Sequence, residues 1–506
     1  MCPKNIKEKT MKRFRKSTAL LLAVLMLSGS MYSCSETQNE TKETESAPLL
    51  NRESESESAV EETVDERLSP SLEILDLEER KFRIYGCPPN EGGDWHVHDM
   101  ISEELTGEAV NDAIYDRNLF LEDTYKFGIE LTESTGNVQQ EIVNLVSAGD
   151  ESYSVCGVTV RTAANLSVDG NTYDLTKLKY IDLSQPYWTP SLNDPLTVEG
   201  RLFMASGDIS VVPREAIRAF YFNKDLQQNY QFESPYDFVR EGTWTYDQMF
   251  SMIETATSDL NGDGKIDKND RYGIQGQGCL RMVMYQGSGE SLVSKNENGS
   301  FVMTVENERS INALQKVAEL IAQRKDNIYL SGDWQNMLKM FENNQALFYT
   351  EVMLHIETMR GYDVDFGIIP TPKYEESQQN YSHWVDNGCN LFYAVPVSLS
   401  DPDTSAYMLE AIAAASRYYL TPAYYDVCLK GKYSRDEESS EMLDIIFNTY
   451  HLDLGDVYGW GNISGFITSA LVDNGNISST IAALRSMTNK SIKKTLDKFY
   501  KNKSWE

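Results

Sequence analysis

Short apolar runs alternate with stretches of helical period along most of the chain. Strand-like runs lie at 81–85, 127–131, 154–160, 201–205, 218–223, 346–349, 365–370 and 390–396. Helix-period stretches lie at 138–148, 246–257, 311–324, 334–343, 406–416, 441–450 and 477–500. Short strands that alternate with helices favour α/β sheets of largely parallel strands. The roughly 430 residues after position 79 exceed one such core, so we predict two lobes.

Two helix starts can be predicted in detail. Thr245 and Gln248 have the spacing of a capping box, in which the threonine hydroxyl accepts from the amide three residues on. Trp244 and Met249 then flank this start as a hydrophobic staple, so we interpret Trp244 as a structural anchor. Ser234 before a proline predicts a second cap, because proline is tolerated at the first helical position.

The first 33 residues have the pattern of a signal peptide of the lipoprotein type. A basic stretch at 12–16 precedes an apolar run at 19–27, which is about half of the roughly 20 residues that a spanning helix needs. No later stretch reaches that length. Translation from Met1 or from Met11 would both give such a leader.

Cys34 follows this leader and resembles the acylation site of a bacterial lipoprotein. Residues 34–79 are rich in Ser, Thr, Glu and Asn, and we predict an acidic disordered tether, since such a segment cannot bury enough surface to offset its ordering entropy. A palmitate-type anchor at Cys34 would hold the protein on the extracellular face of the cell membrane. The alternative is ordinary cleavage and a soluble secreted protein.

The net charge of −31 argues against nucleic acid and anionic lipid as partners, because both need a basic surface. Five of the seven cysteines follow the leader and lie far apart without a CxxC pair. This spacing predicts neither a disulfide framework nor a zinc site, and we expect buried thiols.

One loop has the spacing of a twelve-residue calcium loop. A glycine stands at its sixth position, where the turn is sharp, and an all-oxygen ligand set suits a hard cation. We predict a structural Ca²⁺ held by Asp259, Asn261, Asp263, the carbonyl of Lys265, Asp267 and Asp270. Asp270 stands where glutamate is usual. The alternative is an Asx-rich surface turn without an ion.

Segments distributed over 75–506 resemble a known family. EGRLFMASGD, AFYFNKDL, SPYDFVREGTWTYDQM and DLNGDGKIDKNDRYG lie within 199–273, and DFGIIPTPKYEESQQNY follows downstream. Together they are similar to the family 1 extracellular solute-binding proteins, which feed ABC importers. The resemblance implies a two-lobed type II periplasmic-binding-protein-like fold, with crossover hinge strands and a central cleft.

On this resemblance we expect one lobe at 80–208 plus 384–435 and a second lobe at 209–383, which includes the loop at 259–270. Crossovers are expected near 206–215 and 376–389. Residues 436–506 form a C-terminal helical segment that the sequence does not assign to either lobe.

Sugars present apolar faces to aromatic rings and hydroxyl groups to carboxylates and amides. Candidate ligand contacts are polar and aromatic residues at predicted strand ends and crossovers, namely Trp95, His96, Tyr187, Trp188, Glu351, Trp384, Asp386 and Asn387. For each of them a core or surface role is an open alternative. A metal pair of His96 and His98 lacks a third ligand.

The resemblance implies a monomeric, lipid-anchored receptor that delivers a polar solute, with a sugar or oligosaccharide as the expected class, to ABC permease subunits without changing it. The chain has no GxSxG, HExxH, Walker A or GxGxxG motif, so we expect no enzyme and no catalytic residue. A secreted glycosidase and a surface carbohydrate-binding or adhesion lipoprotein are the alternatives.

Overall fold

The structure is a computed structural model that describes residues 65–87, 97–434, 436–472 and 476–501. The predicted signal peptide, Cys34 and most of the predicted tether lie outside the described residues. The strands within them are β1 (Arg80–Gly86), β2 (Phe127–Glu133), β3 (Val155–Val158), β4 (Arg218–Asn223), β5 (Tyr272–Gly276), β6 (Ser294–Lys295), β7 (Phe301–Val302), β8 (Ile328–Leu330), β9 (Ala346–Val352), β10 (Phe366–Ile369), β11 (His383–Trp384), β12 (Phe392–Ala394) and β13 (Tyr450–His451).

The first lobe is built on a four-stranded sheet in the order β12-β3-β1-β2. β1 pairs in parallel with β2 and with β3, so that Ile84 lies between Leu131 and Val155. β12 joins the other edge of β3 in the antiparallel direction. β3 is apolar and buried throughout, and β1 is buried from Ile84 to Gly86, as parallel strands covered on both faces must be.

The second lobe is built on a five-stranded sheet in the order β10-β4-β9-β5-β8. β5 runs parallel to β8 and β9, whereas β4 runs antiparallel to both of its neighbours, β9 and β10. Two short pairs lie outside these sheets: β6 with β7, and β11 with β13.

Helices surround both sheets. The longer α-helices are Ala109–Tyr125, Val138–Ser147, Val160–Val168, Tyr246–Ala256, Leu280–Gly287, Glu308–Gln323, Trp334–Glu342, Pro402–Tyr418, Glu437–Asn448, Ile463–Val472 and Ile477–Lys501. The shorter ones are Pro190–Leu196, Val212–Glu215, Lys224–Asn229, Pro235–Glu241, Ile356–Met359, Leu420–Pro422 and Leu454–Tyr458. Single 3₁₀ turns cover Leu175–Lys177, Thr304–Glu306, Lys325–Asn327, Met353–His355 and Trp460–Asn462, and Ala423–Tyr433 is a π-helix.

No helix among the described residues is long and apolar enough to cross a bilayer.

Both predicted helix starts are confirmed. The Thr245 side chain accepts from the Gln248 amide, and Ser234 caps the helix that begins at Pro235. Trp244 is fully buried and donates from its indole nitrogen to the Pro370 carbonyl at 2.9 Å, which confirms its structural role.

The helix Ala109–Tyr125 escaped the sequence prediction because its polar residues do not keep to one face. Arg117 is fully buried in it and donates to the carbonyls of Asp99 and Met100 and to the hydroxyl of Ser416. In a hydrophobicity pattern, an arginine predicts a surface position. Here the arginine is buried, and main-chain oxygens accept its hydrogen bonds.

The predicted strand at 201–205 is wrong. This segment makes isolated bridges, from Arg201 to Val198 and from Ala205 to Tyr393, rather than a ladder. Leu202, Phe203 and Met204 are nevertheless buried. The run is apolar because it is a core segment that leads out of the first lobe, and periodicity cannot separate that case from a buried strand.

The lobes are joined where the chain leaves the first lobe near 206–217 and returns near 382–391. Ile217 forms an antiparallel bridge with Val385, and the Asp386 amide donates to the Ala216 carbonyl at 3.1 Å. The two crossovers therefore lie side by side. Later, the helix Pro402–Tyr418 packs on the first lobe, whereas Glu437–Asn448 packs on β10 of the second.

Residues 65–79 lie against the first lobe, although the tether was predicted to extend through 79. The Arg67 guanidinium lies 4.7 Å from the centre of the Phe120 ring, and the Leu75 amide donates to the Tyr407 hydroxyl at 2.9 Å. Ser71 donates to the carboxylate of Glu410 at 3.2 Å. The segment is polar in composition, but it is ordered by side chains of a helix more than 300 residues away.

Glu410 is a fully buried carboxyl group of the first lobe. It accepts from Tyr187, from the Trp188 indole at 3.0 Å and from the Asp182 amide at 3.3 Å. Burial nevertheless raises the pKa of Glu410 to about 7. Unfolded glutamate has a pKa near 4.3, so the folded protein binds this proton more tightly than the unfolded chain does.

We therefore expect the contribution of Glu410 to the free energy of unfolding to fall as the pH rises from about 5 to about 8. Stability from the neutral carboxyl is present below the unfolded pKa and is lost as the pH rises through about 7. The contribution of Glu410 is on the order of 3 kcal/mol. Urea unfolding at stepped pH should show that the free energy of unfolding falls less, or rises more, with pH in Glu410→Gln than in the unchanged chain. The exposed Glu122→Gln is the control, and an unchanged slope in Glu410→Gln would contradict the assignment.

Candidate functional site

Polar side chains gather at one edge of the second-lobe sheet, where the crossovers meet it. β5 and β9 are parallel and end at this edge, whereas the antiparallel β4 begins there. The pairing therefore brings together Arg218 from the start of β4, Glu351 from the end of β9 and Gln277 just after β5. Asp386 joins them from the second crossover. We call these four residues the hinge cluster.

Arg218 lies at the centre of the hinge cluster and is 4% exposed. It donates to Glu351 at 3.0 Å and, through two nitrogens, to one Asp386 oxygen at 3.0 and 3.3 Å. The other oxygen of Glu351 accepts from Gln277 at 2.9 Å. A buried charge needs such partners, since several kcal/mol are lost when it leaves water unpaired. The cluster thus ties the second lobe to the crossover.

A second polar group holds the C-terminal segment against both lobes. Asp453 accepts from Gln286 at 2.8 Å and from the Leu292 amide at 2.6 Å, and both donors belong to the second lobe. Asp456 accepts from Arg161, at the start of a first-lobe helix, at 3.4 Å, and from Asn387 in the crossover. One short segment therefore contacts the first lobe, the second lobe and a crossover.

Burial and the nearby charge of Asp453 raise the pKa of Asp456 to about 7. Burial also lowers the pKa of His451 to about 4, so this imidazole is neutral at physiological pH. The neutral ring lies 3.0 Å from the Gln286 side-chain oxygen. Hydrogen bonds between polar groups with little net charge therefore hold this part of the hinge.

A cavity of about 220 Å³ lies between the lobes, and its lining includes Glu215 and Met353, a few residues along the chain from Arg218 and Glu351. The first lobe contributes His98 and Asn111, the second lobe contributes Met353 and Leu354, and Glu215 comes from the first crossover. The walls combine apolar side chains with carboxylate and amide groups. The volume is below the roughly 300–1,000 Å³ of sites for drug-sized ligands, so this conformation suits a small group such as one sugar ring.

Trp334 and His355 form a stacked aromatic pair at the same edge of the second-lobe sheet. Their ring centres are 4.5 Å apart and the planes are inclined by 14°. Trp334 follows β8 and is half-buried, whereas His355 follows β9 and is buried. Stacking on His355 covers one face of the indole and holds the ring in place. A partly exposed ring that is held in this way is suited to covering the apolar face of a sugar.

The structure brings together only part of the predicted site. Trp95 and His96 lie outside the described residues. Glu351 and Asp386 meet in the hinge cluster, and Asn387 contacts Asp456.

Tyr187 and Trp188 require correction as ligand platforms. They are 3% and 1% exposed and use their polar atoms on Glu410, so the structure places them in the core of the first lobe. Trp384 is also buried, in β11 beside His451. The sequence does not distinguish an aromatic residue that packs in the core from one that contacts a ligand when both lie near a predicted strand end. Only the burial seen in the structure separates the two cases.

In the hinge cluster and the stacked aromatic pair, the sequence analysis did not name Arg218, Gln277, Trp334 and His355. Arg218 is the one charged residue of the strand-like run at 218–223. A single charge at the start of such a run is a sequence feature that can indicate a site residue. Its partner is set by antiparallel pairing of β4 with β9, which the sequence does not reveal. Trp334 belongs to a helix-period stretch, and its position just after a strand leaves no signal in the sequence because β8 has only three residues.

The predicted calcium loop is a hydrogen-bonded surface loop. Asp259 accepts from the Gly262 and Gly264 amides at 2.7 and 2.8 Å. Asp270 is buried, and its two oxygens accept from Leu260 and Asp267 amides, each at 2.9 Å. Asp270 thus closes the loop. Among the described residues no three or more His, Cys, Asp or Glu side chains are arranged to hold a metal ion.

No protein-family model matches this sequence, and no curated protein matches it. Solved structures with a similar fold include the following three. The maltose/maltodextrin-binding domain MalE from Bdellovibrio bacteriovorus, bound to maltotriose, gives a TM-score of 0.53 at 14% identity over 82% of this chain and 100% of that one. A cyclo/maltodextrin-binding protein complexed with maltotetraose gives 0.55 at 11% identity over 83% and 97%. UspC from M. tuberculosis gives 0.52 at 12% identity over 81% and 100%.

At these identities the likeness establishes the fold. The chain has a two-lobed α/β fold of the periplasmic-binding-protein type, with crossover segments and a central cleft. This confirms the predicted fold class.

Proposed function

We propose that this protein is an extracellular receptor that binds a carbohydrate in the cleft between its lobes and delivers it to an ABC importer. The observation that carries the proposal is the cavity at the paired crossovers, where both lobes and a crossover contribute side chains. Apolar walls next to carboxylate and amide acceptors fit the faces and hydroxyl groups of a sugar. Two structures with the same fold were solved with maltotriose and maltotetraose bound.

Binding without chemical change is the second part of the proposal. Glu351 is occupied by Arg218, Gln277 and Tyr349, and the same arginine holds Asp386. Carboxylates held in this way are suited to maintaining a hinge. Closure of the lobes would then present a shape that differs between the free and the loaded receptor, as an importer requires.

Ligand binding is tested with mono- and oligosaccharides, beginning with maltotriose and maltotetraose. A ligand at 100 times its Kd raises the free energy of unfolding by about 2.7 kcal/mol, which a thermal-shift assay detects. With the best saccharide, Trp334→Ala should weaken binding about tenfold or more in titration calorimetry, because it removes the stacked face.

Phe466→Ala is the matched control, since it removes an exposed aromatic ring from Ile463–Val472 and should leave binding unchanged. Chromatography of the saccharide recovered from the complex should return it intact. Turnover would point to a glycosidase, and no binding to any saccharide would contradict the carbohydrate proposal.

We also propose that the loop at 259–270 binds Ca²⁺ as a structural ion. Its support is the spacing of oxygen side chains, with Asp259, Asp263 and Asp267 in one surface loop. A Kd of roughly 10⁻⁴–10⁻³ M is typical of extracellular calcium modules. Such an ion would reinforce the turn that Asp259 and Asp270 already hold by hydrogen bonds.

Millimolar Ca²⁺ should therefore raise the melting temperature of metal-free protein, and chelator should reverse the change. Asp259→Ala should abolish the response, whereas the exposed Asp326→Ala in the same lobe should keep it. An identical melting temperature with and without Ca²⁺ would leave the loop as a turn without an ion.

The membrane anchor completes the proposal: Cys34 is acylated and holds the receptor outside the cell. Its support is the position of Cys34 directly after the predicted leader. Protein expressed with its own leader in a Gram-positive host should enter the detergent phase of a Triton X-114 partition. Cys34→Ala should move it to the aqueous phase, and Cys2→Ala should not. Retention of Cys34→Ala in the detergent phase would contradict the anchor.

A further inference from the structure

The last helix of the chain, Ile477–Lys501, contacts both lobes. We call it the terminal helix. Its 25 residues span about 38 Å, comparable to the width of a small domain. Its two ends contact different lobes, and its middle contacts a turn close to the hinge.

The N-terminal half of the terminal helix lies on the second lobe. Ile477, Ile481 and Leu484 are buried there, and the helix packs against Ile463–Val472 and Glu308–Gln323. Arg485 donates to Glu306 of the second lobe at 2.5 Å. The ion pair is exposed and contributes little by itself, so the buried aliphatic side chains make the main attachment.

The middle of the terminal helix rests on the turn Trp460–Asn462. The Trp460 indole donates to the Thr495 hydroxyl at 2.8 Å. Gly461 has φ of +61°, and a Cβ at this position would lie 3.1 Å from the Cα of Thr488. Glycine thus allows the turn to approach the helix backbone closely. This turn follows the segment that holds Asp453 and Asp456 at the crossovers.

The C-terminal half of the terminal helix lies on the first lobe. Phe499 stacks on Phe203 with ring centres 5.3 Å apart, and both rings are 2% exposed. Lys498 pairs with Asp169 at the end of the helix Val160–Val168, and Tyr500 donates to Glu199. Phe203 lies just before the first crossover. This end is therefore attached beside the hinge, on the opposite lobe from the other end.

We propose that the terminal helix is a strap that restrains the angle between the two lobes. A continuous helix is stiff along its axis, so a rotation of one lobe against the other cannot be absorbed within it. The rotation must instead slide or break the contacts at one end. The buried Phe203–Phe499 pair and the aliphatic contacts around Leu484 then contribute to the free-energy difference between lobe arrangements.

The restraint does not depend on what the cleft binds, and it is tested on the ligand-free mature protein. Spin labels on genetically encoded p-acetylphenylalanine at exposed Glu122 of the first lobe and Lys325 of the second report the distance between the lobes. This chemistry leaves the native cysteines unlabelled. Double electron–electron resonance should give a narrow distance distribution for the otherwise unchanged chain.

Phe499→Ala removes the buried contact at the first-lobe end and should broaden the distribution and shift its mean. Leu484→Ala with Arg485→Ala loosens the second-lobe end and should broaden it similarly, because a strap fails when either end is released. If Phe499→Ala does not fold, Lys498→Ala with Tyr500→Phe is a milder variant, because it removes only the polar contacts to Asp169 and Glu199 at the same end. Urea unfolding of each variant establishes that the lobes themselves remain folded.

Lys493→Ala with Lys494→Ala is the control, since both lysines are exposed on the same helix. It should leave the distribution as in the unchanged chain. Identical distributions in every variant would overturn the proposal, as would equal broadening in the control. If the distance distribution broadens only in the variants of one helix end, the helix belongs to a single lobe and is no strap.

Discussion

The buried guanidinium of Arg218 is the interaction on which the hinge depends. A charge that is 4% exposed is tolerated only with close counter-charges, and here they come from two different parts of the chain. Glu351 is fixed by a strand of the second lobe, whereas Asp386 belongs to the returning crossover. The same ion pairs that satisfy the arginine therefore fix where the crossover leaves the sheet. The cavity described above is lined by Glu215 and Met353, which lie a few residues along the chain from Arg218 and Glu351.

Main-chain pairing of the crossovers completes this arrangement. The bridge between Ile217 and Val385 keeps the two connections side by side, and β13 adds a third segment next to them. Asn390 then donates to the Asp386 carbonyl and accepts from the Val160 amide, which starts a first-lobe helix. The hinge is thus a small hydrogen-bonded structure of its own. Its polar groups are nearly all committed to one another, which leaves the cavity walls to provide ligand contacts.

The sequence predicted the alternation of elements and the fold class, because buried β-strands and capped helices leave local patterns. It failed where a pattern depends on distant parts of the chain. The helix Ala109–Tyr125 was not predicted because Arg117 is buried in it, where its partners include main-chain oxygens of another segment. Tyr187 and Trp188 resembled a ligand platform, since the buried Glu410 that binds them lies more than 200 residues away. Arg218 became visible as a site residue only through strand pairing.

The docked segment at 65–79 has a mechanical consequence. Arg67 and Leu75 attach the incoming chain to the first lobe, through Phe120 and Tyr407. A pull on the upstream chain would therefore reach the first lobe before the second. A rotation about the crossovers changes the position of the second lobe, with its surface loop at 259–270, relative to this point of attachment. The distance between this point of attachment and the second lobe therefore changes whenever the cleft opens or closes.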